Sequence, residues 1–307
     1  MTVTAKQPTA AETIAPSHAQ GLGDESSIWF KLTPLLKGGL DNPLHIIMQM
    51  AERYGPVIPI NLANQRIILL SEPEHFKHVL VTKADAYIKY FDGLKPIFGK
   101  SMITNDGALW QKIRMPQQPA FHPDMFAEYI PYFLAAIRTK MDIWSDVAKS
   151  GETIEMVEQT WTLAADMICK ALFDRDMPFN PHFVFKCVKT YTDVMNHKEI
   201  RVGDKVALFA YGAHHNPKYW EEPEAFMPER WLGDAAKKRI PYTYLPFGGG
   251  KRSCIGGAMS QVENTLALSI LLRRFRPEYV GPEPPGINAT VTLTPKGGLP
   301  FRIRELS

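Results

Sequence analysis

The sequence predicts a helix-dominated α+β fold, mainly α with small β-sheets. Three observations predict it. Apolar residues recur at helical spacing through most of residues 106–173 and again from Gly256 to Phe275. Strand-like runs are short and scattered, near residues 57–70, 205–211 and 290–303. No internal repeat or block of like charge interrupts the 307 residues, and 45% hydrophobic content is enough to bury a large core, as one large domain or two small ones.

The elements follow in order. Thr2 to Ser27 is rich in Ala, Thr, Ser, Gln and Gly and reads as part of a mobile tail over residues 1–30. Pro43 to Tyr54 predicts an amphipathic helix with Ile46, Ile47, Met50 and Ala51 on one face, ended by Gly55-Pro56. Val57–Leu62 and Arg66–Leu70 predict two strands joined by a turn at residues 63–65, the first an edge strand because of Pro59. A short helix over Glu72–Leu80 follows, with Ser71 and Glu74 in capping-box positions. Trp110 to Arg114 lies on a helix expected to stop at Met115-Pro116, and Pro123–Ala148 predicts a second, broken or kinked at Pro131. Further helices are expected over Glu155–Phe173 and Pro181–Asn196. After a change of texture near Glu199, a strand is expected over Lys205–Tyr211, then a loop rich in Pro and aromatics to Pro246. Thr290–Ile303 predicts a hairpin turning at Gly297-Gly298.

A formal net charge of +3 argues neither for nucleic-acid binding nor for a broad basic membrane surface and leaves room for local basic patches; no nucleic-acid partner is expected. The three cysteines, Cys169, Cys187 and Cys254, have no disulfide-like spacing and suit a reducing compartment. The first thirty residues hold no apolar run long enough for a signal peptide or anchor. The expectation is a soluble cytoplasmic protein with no membrane anchor.

The most informative stretch is Phe247-Gly248-Gly249-Gly250-Lys251-Arg252-Ser253-Cys254-Ile255-Gly256-Gly257. Its glycines let backbone turn sharply and lie close to a flat ligand. Cys254 falls near the start of a helix, where free N–H groups and the helix dipole stabilise a thiolate. Arg252 can place a cation beside a carboxylate. A Gly-rich loop holding an inert cysteine is the bland alternative. A phosphate loop does not fit, because Arg252 follows Gly250-Lys251 where Ser or Thr is needed.

This stretch resembles the signature of the cytochrome P450 family, Phe-x-x-Gly-x-Arg-x-Cys-x-Gly, with Phe247, Gly250, Arg252, Cys254 and Gly256 all in place. Trp110 and Arg114 match the family's Trp-x-x-x-Arg pair. Residues 214–231, ending in Pro228-Glu229-Arg230-Trp231, resemble its meander. The paired His214 and His215 have no third ligand at metal-site spacing and read as loop structure. The resemblance implies haem b (iron protoporphyrin IX), Cys254 as iron ligand and catalytic residue, and Trp110, Arg114, Phe247, Gly248, Arg252 and Gly256 around the cofactor. It further implies monooxygenation with O2, a small apolar substrate and electrons from a ferredoxin/reductase-type donor.

The resemblance comes in two blocks. Residues 31–198 resemble the family's N-terminal half and residues 199–307 the haem-ligating C-terminal part of the same domain. No Glu-x-x-Arg occurs anywhere, so Arg230 lacks its usual partners, and no Ala-Gly-x-x-Thr occurs either. The fold is expected to be internally truncated, with monooxygenation impaired. The alternative is a non-catalytic haem-binding or inactive truncated protein of the same family. A cysteine-dependent hydrolase has no supporting pattern around Cys254.

Overall fold

The computed structural model describes residues 2–5, 43–62, 65–91, 94–174, 176, 186, 205–282, 285–289 and 292–306. Among these residues helices dominate, with three sheets. The expected helix over Pro181–Asn196, and most of the expected tail, lie outside the described residues. The chain divides into two compact units, and each draws on both blocks of the sequence: Met1–Ile113 with Glu199–Cys254, and Arg114–Lys198 with Ile255–Ser307.

The first unit is built on a five-stranded sheet of order β2-β3-β6-β1-β4. Here β1 is Thr2–Ala5, β2 Val57–Leu62, β3 Gln65–Leu70, β4 Tyr87–Lys89 and β6 Lys205–Leu208. β2 and β3 form the expected antiparallel hairpin, Val57 opposite Leu70 and Leu62 opposite Gln65. Pro59 sits on the edge strand, where its missing N–H costs no ladder bond. β6 joins β3 in parallel and β1 antiparallel. Thr2–Ala5 is therefore strand rather than tail.

Helix α1, Pro43–Tyr54, precedes the hairpin. Helix α2, Pro73–Lys77, runs on into a π-helical turn at His78–Thr82. The capping box does not form. The Ser71 hydroxyl donates instead to the Pro56 carbonyl at 3.3 Å, and Glu72 takes the N-cap position without a side-chain bond. Phe76, Val79 and Leu80 pack with Leu70, Val206, Leu208 and Ala213 into this unit's core. Helix α3, Gly107–Gln117, contains Pro116 rather than stopping before it. Pro116 lies one residue from the helix end, so little intrahelical bonding is lost before the chain tightens into a 3₁₀ turn at Gln118–Phe121.

The second unit is carried by helices α4 (Phe126–Ser150), α5 (Met156–Phe173) and α6 (Gly257–Arg274). α4 runs unbroken through Pro131. Its inward residues Tyr129, Phe133, Ile137 and Trp144 are buried, and that burial outweighs one missing hydrogen bond near its start. Leu163 and Met167 of α5 and Met259, Ala267 and Leu271 of α6 complete this core. Glu155 caps α5, its Oε2 accepting from the Glu158 amide at 2.8 Å.

Two sheets flank these helices. One has order β5-β10-β7, with β5 Thr153–Glu155, β7 Phe275–Tyr279 and β10 Pro300–Glu305. The other pairs β8 (Gly286–Ala289) with β9 (Leu293–Lys296). The expected hairpin at Gly297-Gly298 does not form: β9 and β10 belong to different sheets. Both glycines have positive φ, and the turn they make delivers the Leu299 N–H to Glu155 Oε1 at 2.7 Å. That bond, with Met156 N–H to Leu299 C=O at 2.8 Å, sends the chain along β5 instead of back along β9.

Candidate functional site

The cysteine loop is closed by three backbone bonds. Gly248 N–H donates to Leu245 C=O, Ser253 N–H to Gly250 C=O, and Cys254 N–H to Phe247 C=O at 2.8 Å. The last bond ties the two ends of the signature together and leaves the Cys254 side chain exposed. Gly248 and Gly250 adopt φ of 71° and 62°, where other residues are strained. Gly250 also packs on the π-helical turn, where a Cβ would overlap the Leu80 carbonyl. Phe247 and Gly248 are half-buried. On the other side of Cys254, Gly256 begins α6, and the nearest atom to a Cβ there would be the Phe121 ring at 3.7 Å.

Arg252 is the buried cation of the loop, its side chain 5% exposed. Its Nε donates to Asp106 Oδ1 at 3.1 Å, Nη1 to Ala84 C=O at 2.7 Å and Nη2 to Tyr87 C=O at 2.6 Å, with Nη2 also 3.0 Å from Asp106 Oδ1. The carboxylate beside Arg252 is thus one of the protein's own. Asp106 also accepts from the Lys89 amide (2.7 Å) and the Gly107 amide (3.1 Å), at the start of α3. Sequence reasoning missed it, since an Asp before a helical glycine signals only a cap. Trp110 is buried on α3 with the Lys89 ammonium 5.7 Å from its ring centroid, and Arg114, four residues on, is half-buried. Lys251 pairs with Asp85, so its charge is met within the chain.

His214 anchors the start of this loop. Its Nε2 accepts the Leu245 N–H at 2.8 Å, which puts the proton of the neutral ring on Nδ1, and its ring lies 4.9 Å from that of Tyr244. His215 faces away, stacked on Tyr211 at 4.0 Å. The sequence reads the paired histidines as loop, but His214 ends a short helix, Ala210–His214, and His215 is its C-cap; no cluster of three metal-binding side chains occurs among the described residues. Burial first, and the neighbouring His215 second, push the His214 pKa down to about 4. The unfolded chain takes up this proton near the ordinary 6.5 while the folded ring stays neutral, so stability falls as pH drops from about 6.5 toward 4. His214→Gln should lose about 1 kcal/mol at pH 7 and show a smaller drop in thermal midpoint between pH 7 and pH 5 than the parent chain. Equal drops would rule out His214 as the source.

Arg230 donates from Nη2 to the carbonyls of Glu222 (2.6 Å) and Ala225 (3.4 Å), and its buried Nε finds no partner among the described residues.

The group implied by the resemblance is a haem, and the donors present fit one. An exposed sulfur stands at the end of a glycine loop whose backbone is already folded, with a buried cation two residues before it and a buried tryptophan in the same unit. Arg252 is the qualification, because its guanidinium is held by Asp106 and two carbonyls.

Comparison with known proteins bears on the same residues. The family profile described as Cytochrome P450 matches residues 23–199 and 175–300, in two segments that overlap over residues 175–199. The chain is 45% identical over 109 residues to thromboxane-A synthase of Sus scrofa, covering 34% of this chain and 20% of that protein. It is 39% identical over 124 residues to cytochrome P450 9e2 of Blattella germanica, covering 39% and 23%. Over 154 residues it is 34% identical to cytochrome P450 716A2 of Arabidopsis thaliana, covering 50% and 30%. The chain therefore spans less than a third of the length of these relatives.

Proposed function

Because the chain belongs to the cytochrome P450 family, whose members hold a haem through a cysteine thiolate and act as monooxygenases, we propose that it binds haem b with Cys254 as the iron ligand. The observation that carries this reading is the preformed loop, with Cys254 N–H bonded to Phe247 C=O and the sulfur exposed. When bound, the haem supplies oxygen activation, in which one atom of O2 enters a small apolar substrate and the other leaves as water. Around it, Trp110, Arg114 and Arg252 hold the propionates, Phe247 shields the sulfur, and Gly248 and Gly256 let the backbone lie close to the ring. Electrons come from a ferredoxin/reductase-type donor, and the protein works in the cytoplasm. No helix among the described residues is long and apolar enough to cross a membrane.

The test is the spectrum of the haem-loaded chain after reduction and addition of carbon monoxide. The strongly red-shifted band of thiolate ligation is expected, and Cys254→Ser should remove it. A band unchanged by that substitution would exclude Cys254 as the ligand.

A second reading, haem binding with little turnover, is favoured by the unpartnered Arg230 Nε and by the absence of Glu-x-x-Arg and Ala-Gly-x-x-Thr from the sequence. It predicts the same spectrum with electron consumption poorly coupled to product.

A further inference from the structure

The pairing of Arg252 with Asp106 has a chemistry of its own. A guanidinium on a side chain 5% exposed needs a compensating anion, and in this chain Asp106 supplies it. The two partners are unequally committed. Asp106 keeps two backbone donors, the Lys89 and Gly107 amides, whatever happens to Arg252. Arg252 keeps two backbone acceptors, the Ala84 and Tyr87 carbonyls, which hold the guanidinium in place beside the loop. The ion pair can therefore open without leaving either charged group bare of hydrogen bonds. What Arg252 then lacks is a carboxylate, and what Asp106 lacks is only a cation.

We propose that Asp106 is a positioning residue that holds the place of a ligand carboxylate at Arg252: it neutralises and orients the guanidinium while no ligand is bound, and a ligand carboxylate takes Arg252 by displacing it. The proposal rests on the haem reading above for the identity of the ligand, a porphyrin carboxylate. It assigns Asp106 two effects of opposite sign. The pair stabilises the ligand-free chain, and the same pair competes with the ligand.

Metal-free protoporphyrin IX separates this from iron ligation, because its binding reads carboxylate recognition with no bond to Cys254. Its affinity, followed by fluorescence, is compared with that of its dimethyl ester. Asp106→Asn keeps one side-chain oxygen, which serves one of the two backbone donors, and removes the competing charge. It is expected to tighten binding of the diacid by about tenfold and leave the diester unchanged, while lowering the thermal midpoint of the porphyrin-free chain. Asp106→Glu should return the diacid affinity toward that of the parent. Arg252→Lys, which keeps a charge but loses the guanidinium fork, should weaken the preference for diacid over diester and leave the part due to Arg114, and a preference undiminished there overturns the proposal whatever the folding of the Asn variant. Diacid binding by Asp106→Asn that is no tighter than the parent's also overturns it, as does a parent chain that binds diacid and diester equally. In those cases the thiolate reading still stands on its own spectrum. A diacid preference that behaves as expected, in a chain whose haem complex lacks a Cys254-dependent band, supports the placeholder and removes the thiolate reading.

Discussion

Gly250→Ala is expected to unseat the cysteine loop and to abolish the red-shifted carbon monoxide band almost as completely as loss of Cys254 itself. Two costs add at this position. With φ at +62° an L-residue is strained by roughly 1–2 kcal/mol. A methyl group there would also overlap the Leu80 carbonyl oxygen and stand 2.9 Å from its carbon, and that carbonyl belongs to the backbone of the π-helical turn, which cannot swing aside as a side chain does. The combined loss should be on the order of 4 kcal/mol. Gly107→Ala is the control, since Gly107 also has positive φ (+60°) but has nothing within 4 Å of the new methyl group. It should pay the conformational part alone, about 1–2 kcal/mol. Urea unfolding of both variants reads the difference, and equal losses would mean that contact with Leu80 contributes nothing.

The second large effect is expected in the other unit. Glu263 lies in the buried stripe of α6 between Met259 and Ala267, 3% exposed, and its Oε1 has no partner among the described residues. Desolvation raises its pKa from 4.5 to about 7. The unfolded chain releases this proton near pH 4.5 while the folded chain holds it to about pH 7, so stability falls as pH rises across that window. Glu263→Gln removes the charge but keeps the shape. At pH 8 it should stabilise the chain by up to about 3 kcal/mol, and at pH 4.5 it should have little effect. Urea midpoints at the two pH values check this. A variant that shifts the midpoint equally at both would show that packing, not the charge, sets the difference. The sign is opposite to that of His214, whose burial weakens the first unit as pH falls.

The parts of the molecule legible in the sequence were those fixed by near neighbours. The β2–β3 hairpin follows from alternation around a short turn, with Pro59 placing β2 at the edge. Helices α1, α5 and α6 follow from helical spacing, and the cysteine loop from its glycines. Residues paired across long stretches of chain were not legible. Nothing near Asp106 announces Arg252, which lies 146 residues away. Nothing at Gly297-Gly298 announces Glu155, whose two oxygens divide between the α5 cap and Leu299 and so redirect β10 to another sheet. The capping box at Ser71 failed for a similar reason, because the Pro56 carbonyl across the hairpin took the hydroxyl. Local rules assign Asp106, Glu155 and Ser71 to helix starts, and tertiary structure assigns two of the three an additional partner and the third a different one.

The parallel pairing of β3 with β6 has a consequence during synthesis. Ile67 is made long before its partner Lys205, and Leu70 before Leu208. At ribosomal speed the gap is on the order of ten seconds. Throughout it, the inner edge of β3 offers unpaired N–H and C=O groups beside the apolar residues Ile68, Leu69 and Leu70. The hairpin can form within microseconds, yet the sheet cannot close until β6 has left the ribosome. The nascent chain is thus most vulnerable to strand-edge aggregation while α3, α4 and α5 are being made, and holding that edge covered is the step on which its yield in a cell would depend.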